Sequence, residues 1–324
     1  MTESSFESFD ALYAHLFRLY DEGRYAEGLE AIGKGRKDFP EADGVLCHFG
    51  ACLAGKLGDA EQAAALLEAM LASGHWLPAR AWDDADFDAV RGLPGFERAR
   101  AASMERLKAA QDGARPELLT VLPAGDGPSP LLLALHGNNS SVRWHKAHWR
   151  GAALDGWLVG MPQSSQASGP DSEGAVTFIW DDAPTAQREV LAHFEALGRA
   201  YRVDERRIVL AGFSRGAEVA VELAVTGAIP VRGFIAVCPG GPLTMEPEGW
   251  EPIIAEGKGR DLRGTVIMGG KDRFGPGTER LVELLRGVGI PCEFDIHPEM
   301  GHDYPADFKA RLGALLALAL GESG

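Results

Sequence analysis

Ser214 is the residue whose neighbours best suit it to chemistry. It lies in GFSRG, Gly212 to Gly216, directly after the apolar run IVLAGF and directly before the helix-like AEVAVELAVTG. An apolar run, a glycine-flanked serine and a helical segment in that order predict a strand, a tight turn and a helix. The glycines suit a turn so tight that a side chain at either flank would strike neighbouring backbone. Such a turn pushes the Ser214 hydroxyl out at the end of a sheet. The helix that follows presents free N–H groups and partial positive charge to the same point. A serine hydroxyl is a poor nucleophile until a base takes its proton, so a histidine has to be in reach. Beyond Ser214 the chain has two, His297 and His302.

The elements that must position these groups are legible from Pro116 onward. ELLTVLP, PLLLALHG, GWLVGMP, RIVLAGFS, GFIAVCP, GTVIMGG and CEFDIHP are short apolar runs rich in Val, Ile and Leu, separated by helix-like segments. Strands of this kind lack clean alternation because both faces are covered, which indicates a mostly parallel sheet flanked by helices. Up to about Ala110 the chain instead reads as helix after helix. The expected organisation is α/β: a smaller all-α domain over residues 1–113 and a catalytic domain over 114–324, with QDGARP breaking the helical pattern between them.

The G-x-S-x-G motif in its strand–turn–helix setting resembles the nucleophile elbow of the α/β-hydrolase family. The resemblance covers roughly residues 116–324, and the HG loop and GFSRG elbow look most like the phospholipase/carboxylesterase and dienelactone hydrolase branches. It implies the chain order Ser, acid, His. His302, in EMGHDYP beyond the strand CEFDIHP, is then the base, and His297 at that strand's end is a packing or surface residue. Asp272, in GTVIMGGKDRF, follows the preceding strand, where the acid is expected. Asp261 comes before that strand, Asp295 lies within the next, and Asp303 adjoins the base. The resemblance also implies an oxyanion hole from the backbone N–H of Arg215 and a second donor from HGNN at 136–139. Asn138 is the best match for that donor and Asn139 its rival, and an asparagine side chain adds a further candidate. His136 belongs to the scaffold of this loop. No metal and no cofactor are expected, and the reaction implied is hydrolysis of a carboxylic ester or thioester. One departure from the family is that only about seven strands are visible, the usual first hairpin being missing or replaced.

Around this centre, Asn139, Gln163, Ser164 and Trp180 are candidates to line a substrate pocket, and Asp181 or Asp182 to cap the helix that follows. The Arg215 side chain suits either a substrate carboxylate or a local ion pair. His145 and His148 in VRWHKAHW have a spacing open to metal binding on a helix face. No carboxylate or cysteine pair accompanies them, so they are read as surface or pocket-rim residues.

In the amino-terminal part, Gly23, Tyr25, Gly28, Ile32 and Pro40 have spacings that resemble a tetratricopeptide repeat. Gly58, Ala60, Ala63 and Leu67 follow 35 residues after their counterparts, near the roughly 34-residue period of that family. The resemblance implies either a protein-binding groove or a helical cap packed within the chain. The formal net charge of -15 argues against nucleic acid or an anionic membrane as partner. A small-molecule ester is the expected one. MTESSFESFD lacks the basic and apolar regions of a signal peptide, and no apolar run reaches the length of a membrane span. With four scattered cysteines, Cys47, Cys52, Cys238 and Cys292, the expected location is the cytoplasm. The same residues would also suit a peptidase, and a non-catalytic interaction protein on a hydrolase scaffold is the reading from a different class.

Overall fold

The computed structural model describes residues 6–322 apart from 124, 126 and 172. Residues 1–5, part of the segment read as lacking a leader, lie outside the described residues. The chain divides into two compact units, one of residues 1–114 with 167–177, the other of residues 115–166 with 178–324.

The first unit is built from α1 (Phe9–Asp21), α2 (Tyr25–Asp38), α3 (Asp43–Lys56), α4 (Ala60–Ala72) and α5 (Pro94–Gly113). Each packs on the next in sequence. Ser8 caps α1 by accepting the Ala11 N–H, and Asp59 caps α4 by accepting that of Gln62. Gly23 and Gly58 follow α1 and α3 with φ of 68° and 70°, a conformation that costs a residue with a Cβ. Small residues let the helices approach: Gly28 lies against Leu53 and Gly35 against Leu12. The segment 167–177 joins this unit through its backbone. The Trp76 indole N–H donates to the Ser168 carbonyl at 2.8 Å, and the Ala167 N–H to Gln111 Oε1 at 2.9 Å.

The second unit runs β1 (Glu117–Val121), β2 (Ser129–Leu135), α6 (Val142–Trp149), β3 (Leu158–Gln163), α7 (Ala183–Ala200), β6 (Val203–Phe213) and α8 (Arg215–Thr226). Between β3 and α7 come β4 (Gln166–Pro170), which past its first residue belongs to the first unit, and β5 (Val176–Ile179), whose first half does. The second unit continues with β7 (Gly233–Val237), α9 (Pro242–Met245), α10 (Trp250–Glu256), β8 (Arg263–Gly269), α11 (Gly275–Gly287), β9 (Cys292–His297) and α12 (Phe308–Leu320). The order in the seven-stranded sheet is β1-β3-β2-β6-β7-β8-β9. β1 is antiparallel to β3 and every other pairing is parallel. All seven apolar runs picked out in the sequence are strands of this sheet, and β4 and β5 form a separate pair.

Successive strand residues serve opposite faces, as a pleated backbone requires. Leu131, Leu133, Leu135, Ile208, Leu210, Phe234 and Val266 pack with α7, α8, α10 and α11. Leu132, Ala134, Val209, Ala211, Ile235 and Ile267 pack with α6 and α12. Both faces are buried, so the strands read as continuous apolar runs. The parallel strands also end on one edge, and the loops beyond β2, β6, β7, β8 and β9 gather there.

Candidate active site

The turn from β6 into α8 puts Ser214 at φ 54° and ψ −125°, a strained conformation for a residue with a side chain. Its N–H donates to the Val237 carbonyl at 3.0 Å, so the neighbouring strand fixes the turn. A Cβ on Gly212 would meet the backbone of Gly216, and one on Gly216 would meet the carbonyl oxygens of His136 and Leu135. Those clashes explain the two glycines of the motif. A Cβ on Gly137 would come 3.2 Å from that of Ser214, so the loop after β2 lies directly against the turn.

His302 Nε2 is 2.9 Å from Ser214 Oγ, and Nδ1 is 2.8 Å from Asp272 Oδ2. The other carboxylate oxygen of Asp272 accepts the Phe274 N–H at 3.0 Å. Burial by itself raises the Asp272 carboxyl. The hydrogen bond and charge of His302, the Phe274 N–H and the Cys238 thiol outweigh it and hold the group below its usual value. An ionised Asp272 keeps the imidazole proton on Nδ1, which leaves Nε2 as an acceptor facing the serine hydroxyl. His302 sits between the rings of Phe213 and Phe274, with centroids at 5.0 and 5.1 Å. Asp261 and Asp295 stand elsewhere, ion-paired with Arg232 and Arg311. His297 lies 3.2 Å from Asp295.

Tyr304 anchors the loop that carries His302, and sequence reasoning missed it. The ring is partly buried, and loss of solvent around its hydroxyl pushes the phenol well above the ordinary value. It stacks on Phe213 at 4.7 Å, and its hydroxyl accepts from the Trp149 indole at 3.0 Å and bonds His145 Nδ1 at 3.2 Å. His148 stacks on its other face at 3.7 Å. His145 is therefore buried rather than at a surface or pocket rim, because its imidazole is a partner for the Tyr304 hydroxyl. The only advance signal was an aromatic two positions after the base.

His136 is fully buried, and burial depresses it to about 4 despite the Gly137 carbonyl. Nδ1 bonds that carbonyl at 2.7 Å, which places the proton there, and Nε2 accepts the Ser164 N–H at 3.3 Å. The Trp180 indole N–H donates to the His136 carbonyl at 2.8 Å. The Asn138 side chain accepts the Trp180 N–H at 2.8 Å and donates to Asp181 at 2.6 Å. One hydrogen of its amide is thus committed, and the side chain braces the loop. Trp180 and Ser164 were expected at a pocket wall, but both have 0% of their surface exposed. Trp180 packs on His136, and Ser164 Oγ accepts the Gln166 N–H. Gln163 is partly buried, and its Oε1 accepts the Val142 N–H at 3.2 Å. Asn139, in the same loop, has φ 53° and is exposed. Asp182 caps α7 through the Thr185 N–H. The Arg215 side chain turns inward, donating to Glu218 at 2.6 Å and to the Trp180 carbonyl at 3.2 Å. Glu218 in turn accepts the Thr244 N–H at 2.7 Å. That buried pair settles the alternative in favour of a local ion pair.

No protein-family model and no curated protein matches the sequence. Solved structures do match. A crystal structure of an uncharacterized protein from Bacillus cereus ATCC 10987 is 23% identical, with 98% of this chain and 100% of that chain covered and a TM-score of 0.53. Esterase PE8 is 20% identical over 63% of this chain and 99% of its own, also with a TM-score of 0.53. The fold is that of the α/β-hydrolases. At these identities the likeness is one of fold, and the chemistry has to be argued from the residues. The sheet brings Ser214, Asp272 and His302 together from the loops after β6, β8 and β9. Among the described residues, no helix is long and apolar enough to cross a membrane.

Proposed function

We propose that the chain is a serine hydrolase that cleaves a carboxylic ester or thioester through an acyl-enzyme on Ser214. The observation that carries this reading is the continuous hydrogen-bonded path from Ser214 Oγ through His302 to Asp272, with contacts of 2.9 and 2.8 Å. His302 takes the serine proton as Oγ attacks the acyl carbonyl, and Asp272 stabilises the imidazolium that forms. The oxyanion accepts from the Arg215 N–H, first in α8, and from the Asn138 N–H of the loop against the elbow. His302 then gives its proton to the leaving alcohol or thiol, and water attacks the acyl-enzyme by the same route in reverse. This chemistry needs neither metal nor organic cofactor.

The test is a fluorophosphonate probe with a panel of aryl esters. Labelling confined to Ser214, and its loss together with ester turnover in a folded Ser214→Ala variant, are the expected results. Turnover that survives in Ser214→Ala would overturn the assignment. A folded native chain that neither labels nor turns over would favour a scaffold without catalysis.

A further inference from the structure

The Ser214–His302–Asp272 relay has a buried thiol beside it that moves no proton in the reaction. Cys238 follows the last residue of β7 with φ 44°, a left-handed conformation that costs a residue with a Cβ. Its N–H donates to the Ile267 carbonyl at 2.8 Å, and its Sγ lies 3.2 Å from the Asp303 carbonyl oxygen, next to the base. One ligand atom each from Cys238, Asp272 and His302 lies within 4.8 Å of the other two. Among the described residues, this is the one cluster of three His, Cys, Asp or Glu groups close enough to share an ion. Thiolate, carboxylate and imidazole together suit borderline divalent metals. Zinc takes such donors at about 2.0–2.3 Å, so tetrahedral ligands stand roughly 3.4–3.6 Å apart. From separations of up to 4.8 Å the donors therefore need to close by about 1.4 Å at most, while the Nδ1–Oδ2 pair of His302 and Asp272, now at 2.8 Å, has to open slightly.

We propose that Cys238, Asp272 and His302 form an inhibitory site for a divalent cation of the zinc class, bound through Nδ1 of His302. The metal takes the Cys238 sulfur as thiolate, an Asp272 oxygen and the Nδ1 lone pair. The thiol proton goes to solvent, the imidazole proton moves from Nδ1 to Nε2, and no electron is transferred. Nε2 then carries a hydrogen and cannot take the proton of Ser214. Entry is from the His302 side, since that side chain is 31% exposed while Asp272 is fully enclosed. Binding stands on the donor set alone, whereas inhibition rests on Ser214 being the nucleophile.

Two readouts on the full chain separate these parts. Titration with Co²⁺ should give a thiolate-to-cobalt charge-transfer band at one ion per chain, present in Ser214→Ala and absent in Cys238→Ser. Should Cys238→Ser fold poorly, Cys238→Gly suits the left-handed φ and serves in its place. Zn²⁺ should suppress ester turnover reversibly by chelator. In the Cys238 variant the zinc concentration for half-inhibition should rise at least tenfold, measured against that variant's own metal-free rate. No cobalt–thiolate band, or a band unchanged in the Cys238 variants, overturns the site. A band without any ester turnover in metal-free protein leaves the site standing and removes the esterase reading instead. Zinc inhibition equal in both proteins overturns the switch.

Discussion

In the proposed reaction Asp272 acts on His302 in two ways, and both follow from its enclosure. It fixes which ring nitrogen holds the proton, and it supplies the charge that an imidazolium needs. Asp272→Asn keeps the shape and removes both, so kcat for an aryl ester should fall on the order of 10⁴-fold. A loss below about tenfold would mean that another carboxylate serves the base. The same carboxyl gives a pH signature. Its folded-state value is depressed below the ordinary 3.8, so its contribution to stability is present above that pH and is lost as pH falls through the lower folded value. At the residue scale the motif marked Ser214 and the resemblance pointed to Asp272 and His302, three side chains that stand within hydrogen-bond distance in series. The sequence was uninformative about Trp180 and Ser164. Local composition carries no sign of which face of a loop ends against His136, and both residues turned inward.

Gly216 shows what an element requires. Helix α8 starts so close to the end of β2 that a side chain at 216 would enter the His136 carbonyl. Gly216→Ala should cost about 3 kcal/mol or more and abolish turnover, because α8 must withdraw and take the Arg215 N–H with it. Denaturant midpoints of the variant and the native chain test this, and equal midpoints would refute the close-approach argument. The seven strands were readable because burial on both faces leaves a run of apolar residues. The loops between them were less so. The brace formed by Asn138, Trp180 and Asp181 joins residues 42 and 43 positions apart. The Tyr304 anchor reaches back 155 positions to Trp149, and no local pattern announces such pairs.

Across the whole molecule, buried neutral imidazoles couple the fold to pH. His136 is depressed by burial to about 4, and His48 to about 4 by burial with the charge of His75 adding to it. The unfolded chain gains these protons as pH falls below 6.5, while the native state does not until near 4, so stability falls across that window. His136 alone contributes on the order of 3 kcal/mol of this loss. Urea midpoints measured from pH 7 down to 4.5 should therefore drop steadily, well above the range where Asp272 titrates, and a flat profile would contradict the enclosure of His136 and the desolvation of the half-buried His48. Taken alone, the sequence determined the covered parallel sheet, the helical amino-terminal part and the serine turn, because periodicity and glycine placement are local properties of the chain. It could not determine that residues 167–177 join the helical unit, that the Arg215 side chain turns toward Glu218, or that Cys238 lies within ligand distance of Asp272 and His302. Those depend on which distant segments the parallel strands deliver to the same edge, and only the tertiary structure decides that.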